Sequence, residues 1–168
     1  EKISCYALTE PGSGSDALSG KTIAVLSPDG EYYLLNGSKQ FITNSAWADY
    51  SIVFTGINGK YSCLIVELKS EGVNVGAEEK KMGLKGSSTT SLSFDNVMVP
   101  KKNLLGNIGD AATIALNILN LGRLKLGFHS LGEAKYSFDL TIKYCGERKQ
   151  FGQSINNFDA QKARIAEM

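Results

Sequence analysis

The spacing of the apolar residues changes near Pro100, and this change limits the possible folds more than any other feature of the sequence. Before Pro100, apolar residues come in short runs rich in β-branched and aromatic side chains, and turn dipeptides such as Asn36-Gly37 and Asn58-Gly59 separate the runs. The predicted strands are residues 3–8, 22–26, 32–36, 40–43, 50–55, 61–68, 73–76, 91–94 and 97–99. Many short strands at this spacing predict an antiparallel β-barrel or sandwich.

After Pro100, apolar residues recur at three- and four-residue intervals from Ala111 to about Tyr144, which predicts one long helix. Asp110 is the expected N-cap of this helix, and a second helix is expected to begin near Asp159. Two helices cannot bury so much apolar surface between them, so we expect further helices to pack against them. The predicted fold class is therefore α+β.

Composition and charge exclude several classes of function. The chain has 168 residues, of which 42% are hydrophobic, and its formal net charge is +1 from 18 basic and 17 acidic residues. Such a balance creates no field that would attract nucleic acid or an anionic membrane. No apolar run is long enough to span a bilayer, and no signal peptide is recognisable. The chain opens on a strand pattern and stops in a helical one, so we expect the polypeptide to extend beyond both ends.

The cysteines give no sign of a disulfide framework or a metal site. Cys5, Cys63 and Cys145 are odd in number, far apart in sequence and form no CxxC pair. We therefore expect reduced thiols in an intracellular compartment and no bound metal.

The segment Ala7-Leu-Thr-Glu-Pro-Gly-Ser-Gly-Ser-Asp16 packs two glycines and several polar side chains into one turn. On local grounds a plain connection between strands explains it, since it lacks both the GK[ST] of a P-loop and a following helix. Alternatively, Gly12 and Gly14 let backbone N–H groups converge into an anion-binding nest, with Ser13 and Ser15 as further donors. The turn by itself leaves both interpretations open.

Four segments, taken in order and with their spacing, resemble the acyl-CoA dehydrogenase family. They are ALTEPGSGSDALS at 7–19, YLLNGSKQFITN at 33–44, KMGLKGSSTTSLSFDNVMVP at 81–100 and ERKQFG at 147–152. The leucine-rich stretch at 117–123 looks most like the very-long-chain branch of the family.

This resemblance implies a three-domain protein, in which residues 1–104 form the middle β domain and residues 105–168 begin the C-terminal helical domain. The implied activity is FAD-dependent α,β-dehydrogenation of a long-chain acyl-CoA to trans-2-enoyl-CoA in fatty acid β-oxidation. An electron-transfer flavoprotein would accept the electrons. The resemblance further implies a homodimer or homotetramer in the bacterial cytoplasm or the mitochondrial matrix, with no role for nucleic acid. An acyl-CoA oxidase and a non-catalytic scaffold on the same fold are the alternatives.

The resemblance also assigns residues to FAD. They are Tyr6, Leu8, Thr9, Gly14, Ser15, Phe41, Ile42, Thr43, Arg148 and Phe151. Thr9 would lie at the pyrimidine edge of the flavin, and the Thr43 hydroxyl would face flavin N5. Phe41 replaces the usual Trp, which keeps an aromatic wall and loses an N–H donor. Arg148 and Phe151 would reach the FAD of a neighbouring subunit, because a guanidinium binds pyrophosphate through two parallel hydrogen bonds.

For the substrate, the resemblance implies contacts from Ser15, Asn120 and Arg123, and it assigns no catalytic base to these residues. One branch of the family carries its catalytic glutamate at the position of Gly122, and glycine cannot act as a base. In the branch that this sequence favours, the glutamate follows later than Met168, so we expect the 168-residue piece alone to be inactive. Glu10 is expected to fix the backbone of its turn.

Overall fold

The computed structural model describes all 168 residues, which form two compact units, residues 1–116 and 117–168. The strands of the first unit are β1 (Ser4–Ala7), β2 (Ile23–Leu26), β3 (Tyr32–Thr43), β4 (Tyr50–Ile57), β5 (Lys60–Glu67), β6 (Val73–Val75) and β7 (Thr89–Pro100). The remaining elements are α1 (Ala111–Glu147), β8 (Lys149–Gln150), β9 (Gln153–Ser154) and α2 (Asp159–Glu167), with 3-10 turns at Lys101–Asn103 and Ile155–Asn157. The domain boundary near residue 104 stays a prediction.

The seven strands of the first unit form one sheet in the order β1-β4-β2-β3-β7-β6, with β5 paired to β4. β3 and β7 are both 12 residues long and pair along most of their length. Their register shifts twice, between Leu35 and Gly37 and between Lys39 and Ile42. The two strands predicted within residues 32–43 are therefore one continuous strand with two bulges, and the polar stretch between them belongs to it.

The α+β class is confirmed, and the sheet is mixed where the sequence predicted antiparallel pairing alone. β1 runs parallel to β4 over four residue pairs, from Ser4 opposite Tyr50 to Ala7 opposite Val53. β2 also meets β4 in parallel, at Ile23 and Gly56. The other pairings are antiparallel, including the β4–β5 hairpin, whose turn residues Asn58 and Gly59 both have positive φ.

The core of the first unit consists of side chains that alternate along the strands and point to one face. It includes Ala7, Leu35, Ile42, Val53, Leu64, Val66, Leu92, Phe94, Val97 and Val99, all at most 4% exposed. Each large apolar side chain buried in this way contributes about 1.5–3 kcal/mol. Lys39 is equally buried, at 0% exposure, and is the one charged side chain among the largest fully buried residues.

The two predicted helices are confirmed at 111–147 and 159–167. Asp110 precedes α1, and its backbone carbonyl accepts the N–H of Ile114 at 3.1 Å. Its carboxylate does not act as the expected cap, because it accepts the backbone N–H of Asn107 at 2.8 Å and the Asn107 amide at 3.0 Å. The carboxylate thus stabilises the turn before the helix.

Many apolar side chains of α1 are exposed, among them Leu121, Leu124, Leu126, Phe128 and Leu131, at 54–69%. This matches the expectation that two helices cannot cover their own apolar residues. Neither helix has a segment both long and apolar enough to cross a membrane.

Candidate functional site

The glycine-containing turn after β1 is closed by two backbone hydrogen bonds. The Glu10 N–H donates to the Ser13 carbonyl at 3.0 Å, and the Ser13 N–H donates to the Glu10 carbonyl at 3.1 Å. Gly14 and Ser15 follow, both exposed, and neither backbone N–H donates to a protein acceptor. The turn therefore presents backbone donors on its outer side, as an anion-binding loop requires.

Strand β3 lies directly beside this turn. The N–H of Gln40 donates to the carbonyl of Thr9 at 2.9 Å, and the Lys39 ammonium donates to the carbonyl of Leu8 at 3.2 Å. The structure thus brings together two segments that the sequence analysis assigned to one site, residues 6–15 and 41–43.

Phe41 and Thr43 extend from this part of β3 into solvent. Phe41 lies within the second bulge with φ of 58°, and its side chain is 58% exposed. A bulky residue in the left-handed region costs about 1–3 kcal/mol, and strain of this kind clusters at functional sites. Ile42 lies between them with its side chain in the core, at 2% exposure, so only its backbone faces the outer surface. The sequence analysis predicted a plain strand here and carried no sign of the bulge.

Glu10 and Lys39 form a buried ion pair beneath the turn. The Lys39 Nζ lies 2.7 Å from Glu10 Oε1, and the side chains are 0% and 7% exposed. Glu10 also accepts the backbone N–H groups of Lys21, at 2.6 Å, and Thr22, at 3.2 Å. The expected backbone role of Glu10 therefore has a geometric basis. The sequence analysis missed Lys39, because it placed this residue between the predicted strands 32–36 and 40–43.

The environment acts on both charges of this pair. Burial favours the neutral carboxylic acid, but hydrogen bonds from Lys39, Thr22 and Lys21 outweigh it and lower the pKa of Glu10 below its ordinary value. Burial also lowers the pKa of Lys39, and the hydrogen bond and charge of Glu10 oppose that shift. A carboxylate with three donors and a lowered pKa is poorly suited to remove a proton from carbon.

Tyr6 and Leu8 turn their side chains toward the protein interior. The Tyr6 ring packs edge-on against Phe54, with 4.8 Å between ring centroids, and its hydroxyl is buried without a hydrogen-bond partner. Burial raises the pKa of Tyr6 to about 12. Leu8 is 7% exposed. Leu8 therefore presents its backbone to the surface, whereas the Tyr6 side chain is half-buried.

In the second unit, Arg148 and Phe151 lie at the β8–β9 hairpin. Phe151 has φ of 53° and is 92% exposed, with its ring edge toward Phe158 at 6.2 Å between centroids. The Arg148 carbonyl accepts the N–H of Ile155 at 2.9 Å, and the exposed Arg148 guanidinium makes no hydrogen bond within the protein. This hairpin therefore presents an aromatic ring and a cation to solvent.

Asn120 and Arg123 lie one turn apart on α1. The Arg123 guanidinium donates to the Asn120 side-chain oxygen at 3.1 Å, and both residues are exposed. Their neighbour Gly122 has no heavy atom within 4 Å of the position a Cβ would occupy.

Two protein-family profiles match the chain. The profile of the acyl-CoA dehydrogenase middle domain matches residues 5–97, and that of the acyl-CoA dehydrogenase C-terminal domain matches residues 110–168. The chain belongs to the acyl-CoA dehydrogenase family. The family resemblance stated from the four sequence segments is thereby confirmed.

Three relatives each align with the whole chain. A probable acyl-CoA dehydrogenase of Bacillus subtilis is 52% identical, and the chain covers 28% of it. The caffeyl-CoA reductase-Etf complex subunit CarC of Acetobacterium woodii is 44% identical, with 45% covered. The very long-chain specific mitochondrial acyl-CoA dehydrogenase of Macaca fascicularis is 40% identical, with 27% covered.

A solved acyl-CoA dehydrogenase from Bacillus anthracis, complexed with FAD, superposes with a TM-score of 0.91 and 51% identity. The superposition covers 97% of this chain and 28% of that one. The chain thus spans less than half the length of the relatives and the solved structure that it resembles.

Proposed function

We propose that this chain forms the FAD-binding β domain and the first C-terminal helices of an acyl-CoA dehydrogenase that converts acyl-CoA to trans-2-enoyl-CoA. The Thr9–Gln40 hydrogen bond is the observation that carries the proposal, because it sets the glycine-containing turn beside the exposed Phe41 and Thr43. An aromatic wall, a hydroxyl and free backbone donors on one surface suit a flat cofactor with a phosphate tail.

The residues of this surface fit FAD by their chemistry. Phe41 would provide a face for the ring system, and the Thr43 hydroxyl would donate a hydrogen bond to the flavin. Thr9 would contact the polar edge of the ring, with Tyr6, Leu8 and Ile42 contributing backbone contacts.

The unpaired N–H groups of Gly14 and Ser15 would hold the phosphate end. When bound, FAD would supply the acceptor for the hydride that leaves the substrate β-carbon, while the protein would orient the reactants and tune the flavin through hydrogen bonds.

Residues of the second unit are proposed to contact the cofactor and the substrate. Arg148 and Phe151 are proposed to bind the FAD of a neighbouring copy of the protein, Arg148 at the pyrophosphate and Phe151 at its flank, which requires a homodimer or homotetramer. Ser15, Asn120 and Arg123 are proposed to contact the acyl-CoA. None of these residues is proposed as the catalytic base, and the 168 residues alone are expected to be inactive.

The substrate chain length, the electron acceptor and the compartment are inferred from the relatives. The very long-chain relative supports a long-chain acyl-CoA substrate and a role in fatty acid β-oxidation. The relative from an Etf complex supports an electron-transfer flavoprotein as electron acceptor. Bacterial and mitochondrial relatives support the bacterial cytoplasm or the mitochondrial matrix as the compartment.

The experiment uses the full-length protein. FAD content, the visible spectrum and the oxidation of butyryl-, octanoyl- and palmitoyl-CoA with an artificial electron acceptor are measured. Phe41→Ala and Thr43→Val are compared with Met98→Ala, an exposed residue of β7. We expect a yellow protein most active on palmitoyl-CoA, with FAD affinity reduced only in the first two variants.

Several outcomes would contradict the proposal. A colourless protein that takes up no added FAD would exclude the flavoenzyme, and equal FAD affinity in all three variants would exclude the assigned surface. Rapid reoxidation of the reduced flavin by O₂ would indicate an acyl-CoA oxidase. A yellow protein without acyl-CoA oxidation would indicate a non-catalytic scaffold.

A further inference from the structure

Lys39 carries a charge in a place where lysine is rarely found. It is 0% exposed and lies in β3 between core residues and the bulge that turns Phe41 outward. Lysine is almost never fully buried without a partner, and a serine or threonine would fill a strand position at lower desolvation cost. The position therefore needs an explanation beyond packing.

The ammonium of Lys39 holds the turn at two points. It donates to the Leu8 carbonyl at 3.2 Å and to Glu10 Oε1 at 2.7 Å. Leu8 and Glu10 flank Thr9, whose carbonyl accepts the N–H of Gln40. Three consecutive residues of the turn are thus bonded to two consecutive residues of β3, and the ammonium supplies two of the three bonds.

Glu10 extends this connection to the far end of the loop. Its carboxylate accepts the N–H groups of Lys21 and Thr22, which begin the path into β2, and its backbone closes the turn with Ser13. The loop that contains Gly14 and Ser15 is therefore held at its first and last residues by one carboxylate. A loop held at both ends keeps its backbone donors in a fixed direction.

We propose that Lys39 and Glu10 are a positioning pair, which aligns the glycine-containing turn with the Phe41–Thr43 surface so that both contact the same flavin. The inference rests on the proposed function, because that proposal identifies FAD as the ligand of the turn and of the Phe41–Thr43 surface. The pair touches neither flavin nor substrate in this role, and it acts through the turn and the bulge. Without it, the turn would remain attached to β3 by the single Thr9–Gln40 bond.

The test uses Lys39→Met and Glu10→Gln in the full-length protein. Met keeps the length of the lysine stem and removes both ammonium bonds. Gln keeps the size of Glu10 and one oxygen acceptor. Ser62→Ala is the control, because Ser62 is fully buried and its hydroxyl hydrogen-bonds Lys60 and Gly109, which belong neither to the turn nor to β3.

Two measurements separate positioning from general stability. Amide hydrogen exchange follows the N–H groups of Gln40 and Ser13, with the N–H of Gly76, bonded to Ser91, as the internal reference. FAD titration gives the dissociation constant of the same variants. In Lys39→Met we expect exchange at Gln40 and Ser13 to rise about tenfold relative to Gly76, and the FAD dissociation constant to rise about tenfold. Ser62→Ala should leave both ratios near the wild-type values.

The inference is overturned if Lys39→Met and Ser62→Ala lose equal thermal stability and also raise the exchange rates of the turn amides and the FAD dissociation constant by equal factors. Should Lys39→Met fail to fold, Glu10→Gln decides by the same criteria with smaller changes in the same direction. The exchange measurement needs no flavin. Normal FAD binding with unchanged turn exchange therefore refutes this inference alone, and an absence of FAD binding in the wild type refutes the proposed function.

Discussion

Thr9 and Gln40 are joined by a backbone hydrogen bond of 2.9 Å, and this bond attaches the turn after β1 to the bulged part of β3. Phe41 comes next in the chain with φ of 58° and is 58% exposed, and Gly14 and Ser15 of the attached turn are exposed as well. A surface built from two distant segments depends on the groups that hold them together. The predictions below address those groups.

Replacing Lys39 with Met should lower the free energy of unfolding by about 3 kcal/mol, because it leaves the Glu10 carboxylate buried without its ammonium. The matched control is Lys2→Met. Lys2 pairs with Asp49 at 3.1 Å but is 66% exposed, so solvent screens the pair and its loss should cost far less than the loss of Lys39. Urea denaturation of the full-length variants measures both losses in free energy of unfolding. Similar losses would show that the buried ion pair contributes no more to stability than the exposed one.

The Glu10 carboxylate should make stability depend on acid pH. Its pKa is lowered in the folded protein from 4.5, so the unfolded state binds a proton first as the pH falls. Its contribution is complete above the unfolded pKa and is lost as the pH falls toward the lower folded pKa.

The comparison of wild type with Glu10→Gln isolates this effect from other carboxylates. The difference in free energy of unfolding between the two proteins should be largest at neutral pH. It should become smaller below about pH 4.5, which is the ordinary pKa of the carboxyl group in the unfolded chain. Denaturant titrations over this range provide the measurement. A difference that stays constant down to strongly acidic pH would exclude a lowered pKa for Glu10.

Replacing Gly20 with Ala should disturb the same carboxylate from the other side. An added Cβ would lie 2.6 Å from Glu10 Oε1 and 2.8 Å from the Tyr61 hydroxyl, both closer than real Cβ contacts. Glu10 cannot swing away freely, since three donors hold it. We expect a loss of about 1–3 kcal/mol by denaturation.

Gly83→Ala is the control for this substitution, because no heavy atom lies within 4 Å of its added Cβ. It should be close to neutral in stability. Equal stabilities for the two alanine variants would mean that the space around Glu10 adapts without cost.

Phe41→Gly and Phe41→Ala should differ in stability although both remove the exposed ring. The backbone at this position has φ of 58°, which glycine adopts without a penalty and alanine does not. We expect the glycine variant to be more stable by about 1 kcal/mol. Both should bind FAD more weakly than the wild type. Chemical denaturation and FAD titration test this, and an alanine variant at least as stable as the glycine variant would show that the backbone relaxes.

The sequence by itself determined the features that depend on local spacing. The change from short β-rich runs to helical periodicity located both helices, including the start of α2 at Asp159, because amphipathic periodicity follows from the geometry of a single element. The four family segments identified the acyl-CoA dehydrogenase family, since each is a local pattern that can be read along the chain.

Only the tertiary structure decided which strands are neighbours and which buried charges meet. The parallel pairing of β1 with β4 cannot be read from alternation, because alternation records which face is buried and gives no strand direction. The left-handed conformation of Phe41 depends on the bulge against β7. Lys39 is buried because Glu10 arrives from a distant part of the chain, and the cost of burying a charge depends on that partner, which no local pattern contains.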